Sequence, residues 1–302
     1  MAIVPLKRAD FLQEALHGVL IVEQFAIEVP RVPVQQDTAD IEYDRLNRTN
    51  GIVRAHPVKR RRSPTSARIR CRAVFLDAGG VIVLPHRDLV TASLARVGVT
   101  IDGSAVARGH YRAVRRLDRD PGSGDAPDAY PRALCCALGV ANERLRDAVA
   151  AVSALADRAG SGEIMWSESA PHAQRAITAL QRAGIPVFVL TNSDGHAAEN
   201  LRDAAICQTT AGPGAQITDV IDSALVGSAK PSPEMFRIAL QRARVQATSV
   251  VHVGDMLSTD IAGARAAGIT PIHLDPSRAC RARDHRHLRS LNGIWQHVVA
   301  AR

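Results

Sequence analysis

Several short stretches of this 302-residue chain carry groups that can do chemistry where an apolar run stops. "AVFLD" (73–77) closes on Asp77, and "IPVFVLTN" (185–192) closes on Thr191-Asn192. "SVVHVGD" (249–255) closes on Gly254-Asp255, and Asp260 follows five residues later. Between the last two runs, "VGSAKPSPEMF" places Lys230 just ahead of a helical pattern. Lys7, Lys59 and Lys230 are the only lysines in an arginine-rich chain, which suggests that position 230 wants a compact point charge. Carboxylates grouped this way can hold a hard cation, and one of them can attack an electrophile. A hydroxyl and an ammonium beside them can hold and neutralise an anionic group.

Those groups become a site only if the runs are neighbouring strands. The four runs at 73–77, 185–192, 249–255 and 270–275, with a weaker one at 218–223, are apolar on both faces and separated by helical patterns. That order argues for a parallel sheet covered on both sides, with a ligand crevice at the carboxyl ends of the strands. Helices are expected at 171–183, 233–243 and 260–267, with Gly184 and Gly268 ending the first and third, and with Pro171 and Pro233 in first turns. The stretch 86–165 has no good strand signal and reads as four helices, at 87–97, 104–117, 131–138 and 142–158. The fold class expected is therefore α/β, a three-layer αβα Rossmann-like parallel sheet with an inserted helical domain.

Composition narrows the function classes. The formal charge is +8, yet residues 54–72 alone carry eight basic side chains and no acid, so the remainder is near neutral. That segment reads as a solvated spacer, and no nucleic-acid or membrane partner is expected. Residues 1–66 read as an N-terminal extension, in which Phe11, Leu12, Ala15, Leu16, Val19 and Leu20 recur at helical spacing, and a basic linker, with disorder as one reading of the segment. Five cysteines without a CxxC spacing indicate neither a disulfide framework nor a zinc site. His252 and His273, inside apolar runs, read as structural histidines, and "SRACRARDHRHLRS" (277–290) as a solvated helix face. Acids interrupt the apolar residues of the first 30 positions, so neither a signal peptide nor a membrane span is read there, and the cytoplasm is the expected location.

Taken in order, the four segments resemble the four motifs of the haloacid dehalogenase superfamily of hydrolases. "VFLDAGGVIV" resembles motif I, "VFVLTNS" motif II, "GSAKPSPEMF" motif III and "VVHVGDMLSTDIAGARAAG" motif IV. The helical stretch resembles the small α-helical cap of one branch. The resemblance implies a core of 67–85 and 166–302 and a cap of 86–165. It implies a Mg²⁺-dependent phosphatase of a small phosphorylated metabolite, acting as monomer or homodimer through an aspartyl-phosphate. Asp77 would be the nucleophile, and Asp77, Asp255 and the Gly79 carbonyl would ligate Mg²⁺. Thr191, Asn192 and Lys230 would hold the phosphoryl group, with Lys230 also catalytic and Asp260 standing behind it.

One position departs from the pattern. Phosphatases of this family usually carry a second Asp two residues after the nucleophile, to protonate the leaving group and then activate water. This chain has Gly79 there. General acid–base help is worth about 10²–10⁴ in rate, so the enzyme would be slower on poor leaving groups, use a good leaving group, or take its acid from His86, His110, Asp118 or a water. Two other classes stay open. One is haloacid dehalogenase-type hydrolysis, which wants an arginine and an apolar halide cradle and a different form of motif I. The other is a non-catalytic protein that binds a phosphate ligand or a partner. The substrate itself is not readable from the helical stretch.

Overall fold

A computed structural model describes residues 67–120, 126, 128–156 and 164–301. The expected extension 1–66 lies outside the described residues. The chain opens with β1 (Ile69–Cys71), β2 (Ala73–Leu76) and β3 (Val83–Pro85). Four helices follow: α1 (Arg87–Arg96), α2 (Ser104–Arg119), α3 (Ala129–Ala137) and α4 (Asn142–Ala156). Then come β4 (Trp166–Ser169), α5 (Ala173–Arg182), β5 (Val187–Thr191), α6 (Ala197–Asp203), β6 (Cys207–Gln208) and β7 (Ala215–Gln216). After β8 (Asp219–Asp222) the order is α7 (Ser223–Val226), α8 (Pro233–Ala243), β9 (Val250–Gly254), α9 (Ala262–Ala266) and β10 (Thr270–Leu274). The chain closes with β11 (Arg286–Leu288) and β12 (Val298–Ala300).

Six strands form one parallel sheet in the order β11-β10-β9-β2-β5-β8. Its central strands β9, β2 and β5 are buried at every position because helices cover both faces, and alternate residues feed two different cores. Val74 and Leu76 face α5, where Ala176, Ile177 and Leu180 close one core. Ala73 and Phe75 face the opposite way, onto Met235, Phe236 and Ala239 of α8. Phe75 and Phe188 meet edge to face there, with centroids 5.5 Å apart. Each such side chain, fully buried, contributes about 1.5–3 kcal/mol. Among the described residues no helix is long and apolar enough to cross a membrane.

The helices α1–α4 all lie between β3 and β4 and carry a third core of their own, built on Val90, Leu94, Val106, Leu134, Val149 and Val152. The strands β3 and β4, which lead into and out of this insert, pair antiparallel. Both are too short to be read from an apolar pattern. Trp166, the first residue of β4, packs against the insert core and the α5-side core together.

Three expectations need correction. Residues 277–290 form a turn, a loop and the edge strand β11 rather than a helix. Asp275 organises that loop: its carboxylate accepts the Ser277 hydroxyl at 2.9 Å and the Cys280 N–H at 2.8 Å. Pro171 stands ahead of α5 rather than in its first turn. The helix expected at 260–267 begins as a π-helical turn over Leu257–Ile261, which passes into α9.

Candidate active site

The parallel register brings the expected residues to one edge. Asp77 leaves the end of β2 and donates its N–H to the Val253 carbonyl of β9 at 2.9 Å. Its carboxylate meets the Lys230 ammonium at 2.5 Å, and Lys230 also donates to Asp260 at 2.7 Å. Asp260 sits in the π-helical turn, where it also faces His252 Nε2 at 3.0 Å and accepts the Met256 N–H at 3.2 Å. His252 is therefore structural, as expected, and its partner is a site carboxylate. Gly254 lets that turn fold back: a Cβ there would lie 2.2 Å from Asp260. Carboxylate oxygens of Asp77, Asp255 and Asp260 fall within 4.8 Å of one another.

The charges are buried and unequal. Burial, reinforced by Asp260, pushes the Asp77 carboxyl up to about 8 against the pull of Lys230. Burial also raises Asp255, and His110 offsets this in part. At Asp260 burial is outweighed by Lys230 and His252, so its carboxyl is held well below the usual carboxylate range. At Lys230 burial is outweighed by Asp260 and Asp77, and its ammonium is held above the usual lysine range. Lys230 is thus one ammonium shared between Asp260 and Asp77. Asp77 and Asp255 are left as hard oxygen donors short of a compensating cation, and that donor set fits Mg²⁺.

Thr191, at the end of β5, is buried and lines the same cavity, whose volume is about 820 Å³. Asn192 takes a different station from the one expected. Its side-chain oxygen accepts the Lys230 N–H and its amide donates to the Lys230 carbonyl, both at 2.8 Å. The Asn192 side chain thereby positions the Lys230 backbone, and Asn192 also lines the cavity. The loop after β5 is fixed from below by two residues that sequence reasoning passed over. Asp222 is buried and accepts the N–H groups of Gly195 and Ala197, and Ser223 Oγ accepts the Ser193 N–H at 3.0 Å.

The insert supplies the other wall of the cavity. Helix α2 contributes three grips on the core loops. His110 Nε2 faces Asp255 Oδ2 at 2.9 Å while its Nδ1 faces the Tyr130 hydroxyl at 2.9 Å. The Tyr111 hydroxyl donates to the Gly80 carbonyl at 2.7 Å. Asp118 accepts the Leu257 and Ser258 N–H groups at 2.9 and 2.8 Å, which commits it to holding the π-helical turn. Of the side chains considered as replacement acids, His110 lines the cavity, whereas His86 and Asp118 do not.

Two glycines after Asp77 have distinct surroundings. Gly80 adopts a φ of +73°, and a Cβ there would lie 2.0 Å from Asp255 and 2.5 Å from His110 Nε2. Only glycine leaves room for that pair. At Gly79 a Cβ would stand 3.4 Å from the Trp166 ring. That is ordinary van der Waals contact, so the Trp166 ring lies beside Gly79 without excluding a side chain there.

Comparison with known proteins agrees with this geometry. A family model for haloacid dehalogenase-like hydrolases matches residues 71–268. The ribulose-1,5-bisphosphate 5-phosphatase of Halopiger xanaduensis is 29% identical over 189 residues, 60% of this chain and 72% of that protein. The HAD-hydrolase YfnB of Bacillus subtilis, solved bound to magnesium, superposes with a TM-score of 0.51 at 17% identity, covering 75% of this chain and 97% of that one. A dehalogenase solved with an intermediate complex gives the same TM-score at 16% identity, over 75% of this chain and 96% of that one. At these identities the solved structures speak to the fold alone. The family match spans all four motif segments and the helical insert between them, and the chain belongs to the haloacid dehalogenase-like hydrolase family.

Proposed function

We propose that the protein is a Mg²⁺-dependent phosphatase that cleaves a small phosphate monoester through an aspartyl-phosphate on Asp77. The observation that carries this reading is the convergence of Asp77, Lys230, Asp255 and Thr191 on one cavity closed by the insert. Asp77 and Asp255, with the Gly79 carbonyl, would hold the cation, which when bound supplies the positive charge that lets a carboxylate approach a phosphoryl dianion. Asp77 attacks phosphorus and the leaving-group oxygen departs. Lys230 and the Thr191 hydroxyl hold the phosphoryl oxygens as their charge redistributes. Water then cleaves the acyl-phosphate and regenerates Asp77.

His110 takes the proton-handling place that Gly79 vacates. It is a buried imidazole on the cavity wall, backed by the Tyr130 hydroxyl and packed edge-on against Trp166 at 5.5 Å. With Nε2 released from Asp255, it would protonate the leaving group and then accept a proton from the attacking water. The halide-releasing reading is disfavoured because no arginine is found among the described residues lining the cavity.

The insert wall favours an uncharged leaving group. Val114, Leu117, Tyr130, Leu155 and Trp166 face the cavity, and among the described lining residues Lys230 is the one lysine or arginine. The phosphatase named above from Halopiger xanaduensis acts, by its name, on a bisphosphate; here a second phosphate would meet an apolar wall. The cytoplasm remains the proposed location. The test is turnover of a panel of mono- and bisphosphates with and without Mg²⁺. Mg²⁺-dependent release of phosphate, fastest from monoesters of uncharged alcohols, is expected. Absence of turnover across the panel contradicts the reading, and a preference for bisphosphates contradicts the substrate class.

A further inference from the structure

A second cluster of ligand-type side chains lies at the opposite end of the sheet order from β5 and β8, and the phosphatase reading makes no use of it. His273 is on β10 and His287 on β11, and the parallel register pairs them directly. Their side chains therefore share a face, and His285, two residues before His287, falls on the same side. Cys280 comes from the intervening loop, which Asp275 folds back through the Cys280 N–H. One ligand atom from each of His273, Cys280, His285 and His287 lies within 4.8 Å of the other three. The three rings are tilted toward one another with centroids 4.6, 5.4 and 5.6 Å apart.

The hydrogen bonds at the far side of the rings are the ones a metal site uses. His273 presents Nε2 to the Asp255 carbonyl at 3.2 Å, which leaves Nδ1 toward the cluster. His285 presents Nδ1 to the Asp284 carboxylate at 2.8 Å, which leaves Nε2 toward Cys280. Ligating imidazoles commonly donate their second N–H to a carbonyl or a carboxylate, which fixes tautomer and ring orientation. His273 Nδ1 and His287 Nε2 are both buried without a hydrogen-bond partner among the described residues. Buried polar atoms of this kind need an explanation, and one cation between them supplies it for both. Cys280 Sγ and His285 Nε2 are 3.7 Å apart. Zn–S and Zn–N bonds of ordinary length in a tetrahedron put sulfur and nitrogen about 3.6 Å apart.

We propose that Cys280 Sγ, His273 Nδ1, His285 Nε2 and His287 Nε2 form a tetrahedral site for a zinc-type divalent cation. One thiolate and three imidazoles suit zinc rather than magnesium. On binding, the Cys280 thiol gives up its proton to solvent, so affinity falls as pH is lowered. Four protein ligands leave no open position, which makes the site structural. It clips the loop after β10 to the sheet edge, and through His273 it fixes the carbonyl of Asp255. The proposal does not depend on the phosphatase reading, because the two clusters share no ligand.

The test uses the full chain without a polyhistidine tag, stripped of metal and titrated with Co²⁺ in the presence of excess Mg²⁺. The expected result is the visible spectrum of tetrahedral cobalt with a near-ultraviolet thiolate band, saturating at one ion per chain and abolished by Zn²⁺. Cys280→Ser should lose the thiolate band, and His287→Gln the tetrahedral spectrum. Asp284→Asn, a surface change that spares folding, should weaken binding by about 10–100-fold. Asp77→Asn should leave the spectrum intact. Circular dichroism of the stripped variants separates lost ligation from lost fold. A wild-type chain that gives no tetrahedral spectrum overturns the proposal. So does a spectrum unchanged in Cys280→Ser and His287→Gln, or one lost in Asp77→Asn.

Discussion

The two walls of the cavity are built on opposite principles. The core wall is ionic: Asp77, Lys230, Asp255 and Asp260 are buried, and each is held by a strand end or by a neighbouring charge. Among the described residues the insert wall is largely aromatic and aliphatic, with His110 and the Tyr130 hydroxyl behind it as polar groups. On the proposed reading, the core wall carries the groups of phosphoryl transfer and the insert wall those that distinguish one leaving group from another. The difference teaches where to look for each property. Changes in the core should alter rate for every substrate, and changes in the insert should alter rate selectively.

The largest test of that contrast is Lys230→Met. Removing the ammonium leaves Asp77 and Asp260 as uncompensated buried carboxylates. We expect kcat to fall by about 10²–10³ for all substrates, with about 3–5 kcal/mol of stability lost. Steady-state kinetics and chemical denaturation check the two parts, and unchanged kcat would break the assignment of the core wall. His110→Gln should cost about 10²–10⁴ on an alkyl phosphate but much less on p-nitrophenyl phosphate, whose leaving group needs no proton. An equal loss on both substrates would assign His110 a structural role.

Stability against pH sharpens the ionic side. The carboxyl of Asp77 is raised in the folded state from 3.8 to about 8, so the metal-free fold binds a proton that the unfolded chain releases. That contribution is fully present below pH 3.8 and is lost as pH rises toward about 8. Metal-free Asp77→Asn should therefore unfold at a higher temperature than the native chain at pH 8, with the gap closing toward pH 4. Thermal melts in chelator give the answer, and a gap that widens toward low pH would contradict it. The smallest effect is expected at the edge of the insert wall. Tyr130→Phe removes one hydrogen bond to His110, worth about 0.5–1.5 kcal/mol, and should shift the pH–rate profile on alkyl phosphates by less than tenfold in rate.

The placement of Asp77 and Asp255 was legible in the sequence because each ends an apolar run, whereas Lys230 and Asp260 stood outside such runs. Asp77, Thr191 and Asp255 stand where buried strands end, and the strands carry enough apolar residues to be recognised singly. The four helices of the insert were readable for the same reason. What escaped was whatever depends on pairing across long separations. His110 and Asp255 are 145 residues apart, and nothing local marks either as the other's partner. Trp166 comes beside Gly79 only once β3 and β4 are paired. Asn192 lay in the right motif, yet its side chain turned to the Lys230 backbone. The cluster around Cys280 escaped because its ligands follow no CxxC spacing and one of them sits on a neighbouring strand. The basic residues between them disguised an edge strand as a helix face.

The claim on which the account rests is that an oxygen of Asp77 becomes bonded to phosphorus. Acid quenching of the enzyme during turnover of a phosphate monoester with Mg²⁺, followed by peptide mass spectrometry, tests it directly. The account predicts one phosphoryl group on the peptide containing Asp77, absent without Mg²⁺ and absent in Asp77→Asn. Sustained turnover by Asp77→Asn, or a phosphoryl group trapped on another side chain, would contradict it.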